Sequence, residues 1–298
     1  MRRRGTSRGF TLIELVVSMV IAAVIAGFIG MFMATPLEAY FAQTRRGDLV
    51  DSADAIVRSF DQDISTALPN SVQVIRTGTV VAVALLATAG SARYWTAGET
   101  AVAPGGAARE LDFSAADSQF ATDGPFNASV HALPPKSFYL AVDNLGTAGL
   151  DAYTLTNVIT PAGTLITFGA GLAGEDQITL AAPFQFAQAS PTNTMYVVTQ
   201  PVTYLCDEQA GTLTRYSGYA IVNPSLRKTA AQFAGTGASS SLVARFLSSC
   251  RFTAPVGTPY HGGVLGMQLT LVNNKNIPVG GSAETLQVFH QVAVQGIP

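Results

Sequence analysis

A chain of 298 residues in which 48% of side chains are hydrophobic and 12% charged is too apolar for a disordered tail and long enough to bury its own core. Its formal charge of −2 gives no clustered basic face of the kind that nucleic-acid binding requires, so no nucleic-acid partner is expected. The densest positive charge, Arg2, Arg3, Arg4 and Arg8, lies at the N-terminus.

Behind those arginines, Gly9-Phe10 is a small-then-bulky junction, and Glu14 is the sole charge between Arg8 and Glu38. Residues 15–37 form an apolar stretch of 23 residues, close to the ~20 that span a bilayer as a helix. A secretory signal would carry a shorter stretch with its cleavage site beyond it, whereas Ala22-Ala23 and Ala26-Gly27 lie inside this one. A plain anchor fits the length, and the arginines would keep its N-terminus in the cytoplasm. Neither reading accounts for Glu14, because a charge within a membrane-length helix costs about 2.5–3.5 kcal/mol on insertion scales.

The run Arg8-Gly9-Phe10-Thr11-Leu12-Ile13-Glu14 closely resembles the N-terminal signal of the type IV pilin and type II secretion pseudopilin superfamily. The resemblance implies that residues 1–9 are a leader, cut between Gly9 and Phe10 by a prepilin peptidase at the cytoplasmic face. It also implies N-methylation of the new Phe10 amine and retention of residues 10–36 as a transmembrane helix. Glu14 would become an assembly contact, pairing with the N-terminal ammonium of a neighbouring subunit. That pairing offsets the cost of a carboxylate in lipid. Loss of the leader's four arginines takes the formal charge from −2 to −6. The implied location is the bacterial inner membrane, single-pass with a periplasmic head, and then the pilus at the cell surface. The implied partners are the prepilin peptidase, the inner-membrane pilus assembly platform and other major and minor pilins.

Past the apolar stretch, Leu49, Ala53, Ile56, Val57, Phe60 and Ile64 recur at 3- and 4-residue spacing, one stripe on a helix. Asp48, Asp51, Asp54, Arg58, Asp61 and Asp63 would form its solvated face, with Arg58 spaced to pair with Asp54 or Asp61. Residues 37–69 therefore read as an amphipathic continuation, stopped at Pro69-Asn70 and kinked or locally melted at Pro36 and Gly47. From there on, β-branched and alternating runs separated by Gly, Pro, Asn and Asp predict strands at 71–76, 79–86, 137–142, 164–168, 195–199, 202–206, 218–222, 266–272 and 285–294. Residues 88–135 read as a long loop or insert, and 229–241 as a flexible loop. The expected fold is α+β, a long N-terminal helix packed on a β-rich head formed by residues 70–298.

The chain has two cysteines, Cys206 and Cys250. In a periplasmic head such a pair is expected to oxidise to a disulfide, and a loop of about 45 residues would gain roughly 4 kcal/mol by chain entropy. Two separate buried thiols are the alternative. Zinc or redox chemistry would need ligand spacing that is missing.

The segments 202–207, 211–219 and 250–252, with Phe289-His290-Gln291-Val292-Ala293-Val294 near the C-terminus, look like the MshO family of minor pilin-like proteins of mannose-sensitive haemagglutinin (MSHA) pilus biogenesis. The pattern Arg45-Arg46, Leu49, Ala53 and Arg58 is shared with J-type pseudopilins and other minor pilins. The resemblance implies a subunit that primes fibre assembly or sits near its start.

No catalytic constellation emerges, so an enzyme, a cofactor, a small-molecule substrate and a metal site are not expected. His131, His261 and His290 are isolated, and Ser225-Leu226-Arg227-Lys228 lacks the companion motifs of penicillin-interacting enzymes. Glu175-Asp176 and Asp207-Glu208 read as solvated turn acids before they read as calcium ligands. A tip adhesin whose head binds a ligand, and a type II secretion minor pseudopilin, remain as alternatives to the pilus subunit.

Overall fold

The computed structural model describes residues 9–96, 109–171, 174–254, 262–275, 277 and 282–294. The chain is α+β, an N-terminal helix followed by a large β-sheet region. Helix α1 (Leu12–Ser65) starts where the Thr11 carbonyl accepts the N–H groups of Glu14 (3.1 Å) and Leu15 (3.2 Å). Helical structure continues through Pro36 and Gly47, so neither melts it as expected. A single proline removes one ladder bond, and strong helix formers on both sides keep the rest. The helix ends at Ser65, ahead of the expected Pro69 stop. There the Ser65 and Thr66 hydroxyls donate to the Gln62 carbonyl (3.0 and 3.2 Å), and the Leu68 N–H turns to the Leu86 carbonyl (2.8 Å).

The chain divides into two compact units. One comprises Met1–Asp48 and Asn273–Glu284. In it, Leu12–Phe32 is the one stretch among the described residues long and apolar enough to cross a membrane, with mean hydropathy 2.7 and none of it buried. Near its other end Asn273 Nδ2 donates to Asp48 (3.3 Å), and Arg46 pairs with Glu284 (3.1 Å).

The other unit comprises Leu49–Val272 and Thr285–Pro298. In chain order the strands and one short helix are β1 (Gln73–Thr77), β2 (Val80–Tyr94), β3 (Asp117–Asp123), α2 (Ala128–His131), β4 (Tyr139–Val142), β5 (Ile166–Ala170), β6 (Asp176–Phe184), β7 (Thr194–Asp207), β8 (Thr212–Ser217), β9 (Ser239–Arg245), β10 (Leu247–Thr253), β11 (Gly263–Asn273) and β12 (Glu284–Val294). A nine-stranded sheet has the order β5-β6-β3-β2-β7-β8-β9, with β1 also on β2 and β4 also on β7. A three-stranded sheet has the order β10-β11-β12.

The long β2–β7 ribbon organises the large sheet. Its first half, where Val81 faces Cys206 and Val83 faces Tyr204, is flanked by β1 and β8. Its second half, where Ala92 faces Met195, is flanked by β3 and β4. Register shifts at Ala87/Thr88 and Thr88/Gly90 mark a bulge between the halves, which bends a strand and increases its twist. Gly90 lets α2 pack closely there: a Cβ would lie 2.9 Å from Asn127 Nδ2 and 3.1 Å from Val130 Cγ2, so those side chains would have to shift.

Each half carries its own core. Leu49, Ile56, Phe60 and Ile64 of α1 pack with Val83 and Leu85 of the large sheet and with Leu269 and Leu271 of the small one. Tyr94, Phe120, Phe126, Phe138, Ile178 and Phe186 form a second, aromatic core. Residues 88–94 are thus the end of β2, and β3 and α2 also lie within the stretch expected to be a loop or insert. Residues 97–108 of that stretch lie outside the described residues. Three further expectations change. Residues 218–222 form no strand, β6 and β8 occupy residues with no expected strand, and β9 begins inside the expected loop 229–241.

Candidate processing and assembly site

The Gly9-Phe10 junction precedes the first turn of α1. Among the described residues no heavy atom comes within 4 Å of the position a Cβ would take at Gly9, and Phe10 is 78% exposed. The bond that a peptidase would cut therefore sits in non-helical backbone. Thr11 is the N-cap, and its hydroxyl lies 3.4 Å from the Glu14 N–H. Glu14 occupies the third helical position, where the helix dipole favours a negative charge. Among the described residues its carboxylate has no partner. Gly9, Phe10 and Glu14 come together through chain adjacency alone. The leader arginines lie outside the described residues.

Away from the N-terminus, the described candidate residues meet structural partners. A disulfide joins Cys206 of β7 to Cys250 of β10, with Cα atoms 6.5 Å apart. His131 contacts Asp176 (3.0 Å) and stands edge-on to Phe168. His290 of β12 contacts Asp61 of α1 (2.7 Å), and His261 lies outside the described residues. Glu175 and Asp176 are not solvated turn acids. Glu175 pairs with Arg109 (3.2 Å from Nε), and the buried Asp176 accepts the Phe126 N–H (2.7 Å). Asp207 accepts the N–H groups of Gln209 and Ala210 in a turn, at 2.9 Å each. Ser225 sits in a 3-10 turn capped by Asn223, whose side-chain oxygen accepts the Ser225 N–H (2.9 Å).

Asp63 departs most from the pattern. It is buried, and its carboxylate accepts from Arg215 Nε (2.6 Å), Arg215 Nη2 (3.1 Å) and the Tyr204 hydroxyl (2.5 Å). Burial first, and then the hydrogen bond to Asp63, push the Tyr204 phenol well above its ordinary range. The helical spacing gave no warning, since Arg215 lies 152 residues away.

The prokaryotic N-terminal methylation motif matches residues 4–30, a span that contains Gly9, Phe10, Thr11 and Glu14. The match supports a type IV pilin-like prepilin family. No curated protein and no solved structure matches the chain. The pilin-motif family is structural rather than catalytic. The motif implies processing by a prepilin peptidase and assembly with other pilins. With the apolar Leu12–Phe32, it points to membrane anchoring.

Proposed function

We propose that the protein is a minor pilin-like structural subunit that helps to initiate or assemble a type IV pilus of the MSHA type. Residues 1–9 are its leader, cut at Gly9–Phe10, and the new Phe10 amine is N-methylated. Residues 10–36 are the membrane helix, 37–69 continue it as an amphipathic helix, and 70–298 are a periplasmic head. The MshO-like segments of the head support the MSHA assignment. A J-like minor pseudopilin of a type II secretion system is the second reading, favoured by the Arg45-Arg46, Leu49, Ala53 and Arg58 pattern shared with that group. Secretion genes beside the coding sequence would decide for it, and pilus genes against it.

The observation that carries the proposal is Glu14, a carboxylate in an apolar helix with no partner among the described residues. A neighbouring subunit's N-terminal ammonium supplies one. Glu14→Val therefore inserts and is cleaved normally but enters fibres about tenfold less, the ratio that about 1.4 kcal/mol of lost pairing produces. Quantitative immunoblots of sheared fibres against membranes measure this. Normal incorporation would show that Glu14 is not an assembly contact.

A further inference from the structure

The Cys206–Cys250 disulfide ties the nine-stranded sheet to the three-stranded one, and a side-chain clamp surrounds it. Cys206 of β7 faces Val81 of β2, and Val81 faces Arg76 of β1, so Arg76 lies two strands from Cys206 at the same level. Glu208 follows Cys206 by two residues, anchored where its N–H donates to the Thr79 carbonyl (3.0 Å). From these positions both side chains reach the main chain of Cys250. Arg76 Nη2 donates to the Cys250 carbonyl (2.6 Å), and the Cys250 N–H donates to Glu208 Oε1 (2.9 Å). Arg76 Nη2 also donates to that same Oε1 (3.0 Å), which closes the clamp.

The clamp grips backbone groups, so it is equally available when both cysteines are reduced. Both cysteines are fully buried, and their sulfurs can meet only when β10 is docked. Arg76 stays half-exposed beside a cleft of about 410 Å³ lined by Arg76, Glu208, Ser249 and Arg251. The clamp thus occupies the wet rim of a dry covalent joint.

We infer that Arg76 and Glu208 are positioning residues for oxidation of Cys206 and Cys250: they dock β10 on the rim of the large sheet and bring the two thiols together. In the step itself the two thiols lose two protons and two electrons and form one S–S bond. A donor disulfide accepts them and leaves as two thiols.

The test refolds reduced, full-length protein in detergent with oxidised glutathione as the donor and follows thiol loss by alkylation. Glu208→Gln and Arg76→Met are each expected to slow disulfide formation about tenfold, the factor that loss of one charged hydrogen bond produces. The double variant should be little slower than either single one, and Glu208→Asp should recover part of the rate. A second measurement uses a chain with Cys206→Ala and Cys250→Ala. The amide of residue 250 should remain protected from hydrogen exchange there and lose protection when Glu208→Gln is added. Unchanged oxidation rates in both single variants would overturn the inference. So would a residue-250 amide whose exchange in the cysteine-free chain ignores Glu208.

Discussion

Asp63 holds the amphipathic half of α1 to the large sheet through a bidentate Arg215 and the Tyr204 hydroxyl, which donates to Asp63 and accepts from the Ser59 hydroxyl (2.7 Å). Removing one partner from such a group strands the other, so Asp63→Ala should destabilise the protein by about 3 kcal/mol, the lower end of the range for a broken buried pair. Arg215 keeps a quarter of its side chain in solvent, which argues for that lower end. Urea unfolding in detergent measures it, and a cost near zero would show that the network is idle. Tyr219 sets a limit at high pH. Its hydroxyl shares a 2.6 Å hydrogen bond with Thr203, and burial pushes the phenol up to about 12. A raised value means that stability is whole below pH ~10, the unfolded value, and is lost as pH climbs toward the folded one. Tyr219→Phe should therefore flatten the fall in Tm between pH 10 and 12. An unchanged slope would assign that fall to other groups.

At the scale of elements, the α1 stripe was readable because 3- and 4-residue spacing persists from Leu49 to Ile64, and four of its six apolar positions are fully buried. Phe60 is its centre, stacked on Tyr204 (4.2 Å between ring centroids) and Phe252 (5.5 Å). Phe60→Ala should cost about 3–5 kcal/mol by thermal or urea unfolding, as expected for a large cavity in a close-packed core. Strands were harder to read. Pro201 demotes a strand in sequence terms, yet it sits inside β7 opposite Leu86 and joins two runs that read as separate. β3 has polar residues on its exposed side, so only Phe120 and Ala121 signal burial. β9 is mostly exposed at the edge of its sheet, and its serines look like loop. Long-range polar partners leave no local trace. The pairing of Asp63 with Arg215 and the grip of Arg76 and Glu208 on Cys250 both needed the fold. The processing motif, by contrast, lies within seven consecutive residues, and its chemistry depends on no tertiary contact.

For the whole molecule, one region carries identity and another carries stability. The N-terminal motif and the apolar Leu12–Phe32 point to membrane anchoring and entry into a fibre. The sheets, the disulfide and the second half of α1 build a β-rich unit in which Asp61, Asp63, Glu175, Asp176, His131 and His290 have structural partners. Among the described residues no group of three or more His, Cys, Asp or Glu side chains could hold a metal ion. In the proposed function, cleavage after Gly9 would create the ammonium that Glu14 would pair with in a neighbouring copy, so where the mature chain begins is the deciding fact. Intact-mass and N-terminal peptide mass spectrometry of the protein from its native membranes measures this most directly. A prepilin processed as proposed starts at Phe10 with one methyl group on its amine. A chain that starts at Met1, or after Ala26, would contradict the proposal.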